Sequence, residues 1–362
     1  MKMGWLKRVL HANASSPSRD PTDQAVPSPT SHTPPRREYG LKVLQEPHGA
    51  NLDIVFVHGL TGGRIKTWTH PESGSFWPRD FLPATLPDAR IFTFGYDADV
   101  VRMFAVASSS TIRDHGRDLA QQLGRKRALD KCIERPVIFV AHSLGGLVTE
   151  QALLICRGAQ ETWKSALLES TVGIIFMGTP HAGSSIADWA SILTSLTSLV
   201  RPTNRGIVEV LRRSSESLAA LQQEFHEMLH QHRSRGANVP FLHCFYEELA
   251  HGTLGRLIVP QHSAIIPGHT SEGIHANHQD MTKFGRHDDA GYQSVSAQLE
   301  LWASTLGNNH DRPAAETYRQ LPTEPSRNFP VQNLPYPRSV HGRQIVQGNN
   351  MSAGGNINIT SN

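Results

Sequence analysis

Along the middle of the chain, apolar positions come in short unbroken blocks separated by stretches of helical period. Leu52 to Val57, Arg90 to Phe94, Pro136 to Ala141, Thr171 to Met177 and Val239 to Tyr246 are runs of strand length, rich in β-branched and aromatic residues. Such runs read as strands buried on both faces. Between them, Ile112 to Leu123 and Leu147 to Leu154 carry apolar residues at helical spacing, and Tyr292 to Leu306 reads as a closing amphipathic helix. Strand and helix in alternation predict a parallel sheet covered by helices. Leu41 to Leu44 would be an edge strand, and Leu257 to Val259 a short strand or turn. Residues 185 to 232 hold no strand signal and read as helices. Their stripe of Ile186, Trp189, Ile192, Leu193, Leu196 and Leu199 fits either a packed cap or a lid over an acyl-chain pocket or membrane surface.

The pattern stops at both ends. Residues 1–38 are dominated by Ser, Pro, Thr, Asp and Arg, cannot offset ordering entropy by burial, and read as a disordered leader. A single domain is expected over 39–306, with the helical insertion at about 185–235. A Pro-rich linker extends over 307–340 and leads to a short tail, 341–362, rich in Asn, Gly and Gln.

Composition narrows the class. With 35 basic and 32 acidic residues the net charge is +3, and no Lys/Arg run interleaved with aromatics points to nucleic acid. No stretch approaches the ~20 apolar residues of a membrane span. Met1 to Leu10 is basic and lacks the apolar centre of a secretory signal. Cys132, Cys156 and Cys244, an odd number in or beside apolar segments, read as buried thiols of a reducing compartment, so a cytoplasmic location is expected.

The chemistry gathers at the ends of the apolar runs. Pro136 to Ala141 drives into His142-Ser143-Leu144-Gly145-Gly146 and continues as a helix, so Ser143 falls on a sharp strand-to-helix turn. That is the geometry of a nucleophile elbow, where only small neighbours such as Ala141 and Gly145 let strand and helix approach. A serine nucleophile needs a base, an acid that orients the base, and backbone donors for the oxyanion. The Gly-rich turn His58-Gly59-Leu60 offers the Leu60 amide as one donor, and Leu144 offers the second. Glu247 and Glu248 directly succeed a strand; Glu247, nearer its end, is the first choice of acid, with Glu248, Glu272 and Asp280 as alternatives. His278, in a late loop ahead of Lys283-Phe284, is the first choice of base, with His275 as the alternative.

Two rival motifs fail. His226-Glu227-Met228-Leu229-His230 fits the short zinc-protease pattern, but Arg233 and Gly236 stand where the extended form needs Gly and His. Gly59 to Thr67 superficially resembles a phosphate-binding loop and lacks the Gly before Lys66.

Taken in order, the His58-Gly59 turn, Ala141 to Gly146, Gly178-Thr179-Pro180-His181-Ala182-Gly183-Ser184, Phe245-Tyr246-Glu247, Val259-Pro260 and His278 resemble the lipase-like α/β-hydrolase branch that includes fungal SesB-like proteins. That branch is similar to the GPI-inositol-deacylase and palmitoyl-thioesterase-like enzymes. The resemblance spans about residues 40 to 305. It implies an α/β-hydrolase fold with a helical lid, a triad of Ser143, an acid near Glu247 and His278, and chemistry without metal or cofactor. The tail from His341 to Thr360 is similar to a fungal amyloid signalling motif. Its Ile345-Val346 and Ile357-Asn358-Ile359 segments are β-prone, and beyond Arg343 no charge opposes stacking.

The function so implied is an esterase, lipase or thioesterase acting on a lipid or acyl-ester substrate. Its setting would be fungal regulated cell death, with self-assembly through 341–362, an NLR receptor as partner, and association with a membrane surface on activation. The competing class is an inactive hydrolase-fold signalling protein whose activity resides in the tail.

Overall fold

The computed structural model describes residues 39–60, 62–97, 108–181, 186–198 and 207–307. The leader, the tail and all but the first residue of the linker expected from sequence lie outside them. Seven strands form one sheet: β1 (Gly40–Gln45), β2 (Leu52–Val57), β3 (Ala89–Gly95), β4 (Val137–His142), β5 (Thr171–Met177), β6 (Phe241–Glu247) and β7 (Thr270–Ile274). Their spatial order is β1-β3-β2-β4-β5-β6-β7. Only β1 runs antiparallel, on β3; every other pairing is parallel.

Burial explains the unbroken apolar runs. Every residue of β2, β3 and β4 is buried, and alternate positions feed two separate cores. Val55, Val57, Phe139 and Ala141 face one side, where they pack with α3 (Ser108–Leu129), α4 (Leu144–Arg157) and α5 (Thr162–Glu169). Ile54, Phe56, Ile138 and Val140 face the other, against the short helices α1 (Trp77–Asp80) and α2 (Leu82–Thr85) and the last helix, α9 (Ala290–Gly307). The period of two along each strand thus separates the layers.

Helices α6 (Ile186–Ser198) and α7 (Ile207–Ser234) occupy the stretch in which no strand is expected. Trp189, Ile192, Leu193 and Leu196 of α6 are buried in the first core together with Leu218, Leu221, Phe225 and Met228 of α7. A four-residue helix, α8 (Gln261–Ala264), precedes β7.

Two sequence expectations change. Of the strand or turn expected at Leu257 to Val259 the chain makes a bend at Ile258–Val259, and the strand of that region is β7, which was not expected. Because β7 is an edge strand whose Thr270, Ser271 and Glu272 are exposed, it carries no apolar run to announce it. Cys156 and Cys244 are buried, but Cys132 is only half-buried, its Sγ accepting a hydrogen bond from Arg90 Nη2 at 3.2 Å.

The strand order also creates a crevice. From β2 the chain steps to β3 on one side, then crosses back to β4 on the other, so the direction of winding reverses between β2 and β4. In open parallel sheets a crevice forms beyond the carboxyl ends of the strands at such a reversal. The residues that leave β2 and β4 there are His58-Gly59-Leu60 and Ser143-Leu144.

Candidate active site

Ser143 links β4 directly to α4 with φ 53° and ψ −129°. For a residue with a Cβ this conformation costs about 1–3 kcal/mol and persists only where its surroundings enforce it. The enforcement is visible. The Ser143 amide donates to the Met177 carbonyl of β5 at 2.9 Å. A Cβ on Gly145 would run into the Val57 and His58 carbonyls, and one on Gly146 into the Thr179 side chain. The elbow helix is therefore pressed against the ends of β2 and β5 through glycine.

The late loop brings His278 over this turn. Its Nε2 lies 3.0 Å from Ser143 Oγ, and the ring is buried. Two anchors fix the loop. His142 Nε2–H donates to the His278 carbonyl at 2.9 Å, and the Met281 amide donates to the Asn277 carbonyl at 3.0 Å. On the far side of the ring, His278 Nδ1 faces Glu247 Oε2 at 3.7 Å. Neither atom has another hydrogen-bond partner among the described residues. The second oxygen of Glu247, the last residue of β6, accepts the Val259 amide at 2.6 Å.

Burial dominates the electrostatics. It pushes the Glu247 carboxyl up to about 7, against the Val259, Ile258 and His278 amides that favour its charged form. It also holds the His278 imidazole well below its ordinary value, with the neighbouring His142 and His251 rings acting in the same direction. A neutral imidazole against a serine hydroxyl can accept its proton.

The turn after β2 is organised by His58. Its Nδ1–H donates to the Gly59 carbonyl at 2.9 Å while its Nε2 accepts the Tyr96 amide at 3.2 Å, a pairing that one neutral tautomer satisfies. Burial pushes His58 down to about 4, consistent with that neutral ring. Tyr96 stacks on it at 4.3 Å and donates its hydroxyl to the His58 carbonyl at 2.7 Å. Gly59 is thereby set against the Ser143 side chain: a Cβ there would stand 2.6 Å from Ser143 Cβ. Leu60 comes next and is buried. Leu144 is the first residue of α4, where an amide has no acceptor within its own helix.

A cavity of about 130 Å³ opens at Ser143 and His278, bounded by Leu60, His142, Leu196 and polar side chains of the two flanking loops. A larger open depression of about 550 Å³, between Ile155 and Lys164, contains none of these groups.

The remaining sequence candidates stand apart. Glu248 and His275 pair with one another at 3.1 Å, with His275 80% exposed. Glu272 accepts from Ser294 Oγ at 2.6 Å, and Asp280 pairs with Lys283 at 3.0 Å. His226 is half-buried and His230 exposed on α7. Among the described residues no group of three or more His, Cys, Asp or Glu side chains could hold a metal ion.

Sequence reasoning missed a second buried cluster. Glu150 of α4, fully buried, lies 3.4 Å from His181 Nδ1 and accepts a hydrogen bond from Gln222 Nε2 of α7. Burial alone would lower His181, but the Cys244 thiol and the Glu150 carboxylate outweigh it and push the ring up to about 9. The signal available was Glu150 itself, a charge whose helical neighbours one turn away, Leu147, Leu153 and Leu154, are all apolar.

A profile of the Alpha/beta hydrolase family matches residues 54–305, a span that holds Ser143, Glu247, His278 and the turn after β2. The chain belongs to this family. Among curated proteins, this hydrolase-family chain is 32% identical to Protein SERAC1 of Danio rerio over 191 residues, covering 48% of the chain and 28% of that protein. Protein SERAC1 of Homo sapiens is 29% identical over 192 residues with the same coverage. The chain thus spans little more than a quarter of the length of these relatives. Among solved structures it resembles a lipase-esterase related protein of Clostridium acetobutylicum, with 9% identity, a TM-score of 0.40, and coverage of 72% of this chain and 98% of that one. It also resembles a monoglyceride lipase of Saccharomyces cerevisiae, with 13% identity, a TM-score of 0.39, and coverage of 77% and 97%. No described helix is long and apolar enough to cross a membrane.

Proposed function

We propose that this family member is a serine hydrolase that cleaves a carboxylic ester or thioester of a lipid through an acyl-enzyme. The observation that carries the reading is the buried His278 Nε2 at 3.0 Å from Ser143 Oγ on a strained strand-to-helix turn. His278 takes the hydroxyl proton as Oγ attacks the carbonyl carbon. The amides of Leu60 and Leu144 receive the oxyanion, and Glu247 stabilises the imidazolium that forms. His278 then gives the proton to the leaving alcohol or thiol, and water repeats the sequence on the acyl-serine, releasing the acid.

Glu247 assists only when ionised, so activity rises with pH through about 7. The 3.7 Å gap between His278 and Glu247 shortens on this reading when the imidazolium forms. That same gap favours the competing reading, a hydrolase-fold signalling protein without turnover. A fluorophosphonate probe separates the two: labelling of wild type that disappears in Ser143→Ala supports the hydrolase, and equal labelling of both overturns it.

The finer setting is the one that the likeness to SesB-like proteins implies. The chain would be an effector of fungal regulated cell death, with α6 and α7 as its lid. Residues 341–362 would self-assemble as amyloid when templated by an NLR receptor and bring the enzyme from the cytoplasm to a membrane surface. A synthetic peptide of residues 341–362 that stays monomeric and thioflavin-negative at high concentration would sink this part and leave the hydrolase intact.

A further inference from the structure

The cavity beside Ser143 is flanked by two cations that the proton transfers do not use. Lys66, an exposed residue that opens the short 3-10 turn Lys66–Trp68, and Lys283, from the loop of His278, both line the cavity with Gln279. No carboxylate lines it among the described residues. The two lysines are held near one another by their chain neighbours, since Thr282 Oγ1 donates to the Thr67 carbonyl at 2.7 Å. Thr67 is buried, and its hydroxyl accepts the Gly63 amide at 3.2 Å. Trp77 Nε1 fixes the other segment by donating to the Thr282 carbonyl at 2.8 Å. The two cations therefore sit on a braced rim rather than on free loops.

Their partners are unequal. Lys283, with a side chain only 21% exposed, keeps Asp280 at 3.0 Å, whereas no carboxylate pairs with Lys66 among the described residues. Like charges held on one rim raise the local potential, and an anion bound between them relieves it. The charge of Lys283 already reaches the site: after burial, it helps push His142 down to about 4.

We propose that the ester handled at Ser143 carries an anionic group, a phosphate or a carboxylate, within a few atoms of its reacting carbonyl, and that Lys66 and Lys283 select for it. This rests on the hydrolase reading for the word ester, but the anion site itself can be tested without turnover. Leu60 and Leu196, the large apolar side chains of the same cavity, would meet the hydrocarbon side of such a molecule.

The test uses the full chain and two measurements. In the first, decanoyl glycerophosphate and decanoyloxyacetate are compared with neutral monodecanoylglycerol. The expected preference for the anionic esters is about tenfold in kcat/KM, the sum of two partly exposed ion pairs. It narrows to within about twofold in the Lys66→Gln, Lys283→Gln double variant, inverts in Lys66→Glu, and shrinks in high salt. The phosphate and carboxylate esters tell the two anions apart. Turnover of all three esters at one rate, or a preference that the lysine substitutions leave unmoved, overturns the inference while the hydrolase stands.

In the second measurement, decyl phosphate and decanoate are titrated by calorimetry into Ser143→Ala, with and without the two Lys→Gln changes. Weaker binding on loss of the lysines supports the anion site even if no ester is ever cleaved. Equal affinity with and without them overturns it.

Discussion

The two ends of the sheet bury similar side chains and treat them in opposite ways. At the amino end, Asp53 of β2 is fully buried, and Arg90 of β3 grips it with two bonds of 2.9 and 3.0 Å. Arg127 of α3 and Arg135 add further bonds to the same carboxylate. Arg127 also donates to the Ile133 carbonyl and to Ser170 Oγ, at 2.7 and 2.9 Å. At the carboxyl end, Ser143 is held at a positive φ, and Glu247 Oε2 and His278 Nδ1 face each other with no other partner among the described residues. Buried charge that is saturated with donors locks a fold. Buried polar groups left partly unsatisfied cost free energy that the rest of the fold must offset.

The sharpest way to break the contrast is at Asp53. Asp53→Ala removes the buried carboxylate on which three guanidinium groups converge, leaving Arg90 only Glu46 and Asp130 at the edge of the cluster, and the expected loss of stability is about 3–5 kcal/mol. Asp53→Asn, which keeps the shape and half of the hydrogen bonds, should lose less. Urea midpoints for the two variants, compared at one m-value, check the order. Equal, small losses would show that the amino end is no better consolidated than the other.

Glu247→Gln should do the reverse at the carboxyl end. A carboxyl raised to about 7 in the fold stabilises it below the ordinary value near 4.5, and that contribution is lost as pH rises through about 7. Above pH 8 the neutral amide should therefore make the protein more stable by about 1–3 kcal/mol, while kcat falls at least about a hundredfold. Thermal melts at pH 5 and pH 8.5 test the sign: a gain at the higher pH alone is expected, and a loss at both would mean that Glu247 is a structural residue.

How far these ends were legible in sequence depends on the same contrast. The strands β2 to β6 announce themselves because both of their faces are buried, and Ser143, Glu247 and His278, which meet at the carboxyl end, are each adjacent to such a run or to the loop beyond it. Edge strand β7 and the four-residue helices α1 and α2 give no period to read. The full burial of Arg90 and Arg127 is equally silent, because an arginine on a strand or helix reads as a solvated face until its partner, 37 or 74 residues away, is known. Glu150 and Gln222, 72 residues apart, are hidden for the same reason.

That hidden pair gives an intermediate case. His181, raised to about 9, adds stability that is complete below pH 6.5 and lost as pH rises through about 9. Glu150→Gln should thus lower stability by about 1–2 kcal/mol at pH 6 and by much less at pH 10. Because Gln222 belongs to α7, proteolysis of that helix should accelerate along with the loss. A deficit independent of pH would assign Glu150 to packing alone.

The smallest expected effect separates position from charge beside Ser143. His142 donates to the His278 carbonyl, and its pKa of about 4 keeps the ring neutral across the working range. His142→Ala removes a tether from the loop that aims His278, so kcat should fall about tenfold with KM little changed, the size of one hydrogen bond. His142→Gln offers an amide N–H at similar reach and should recover part of that loss. In both variants the rise of activity through pH about 7 should stay where it is, because the proposed mechanism assigns it to Glu247 and not to His142. If the inflection moves with either substitution, His142 takes part in the proton chemistry, and the positioning role assigned to it is wrong.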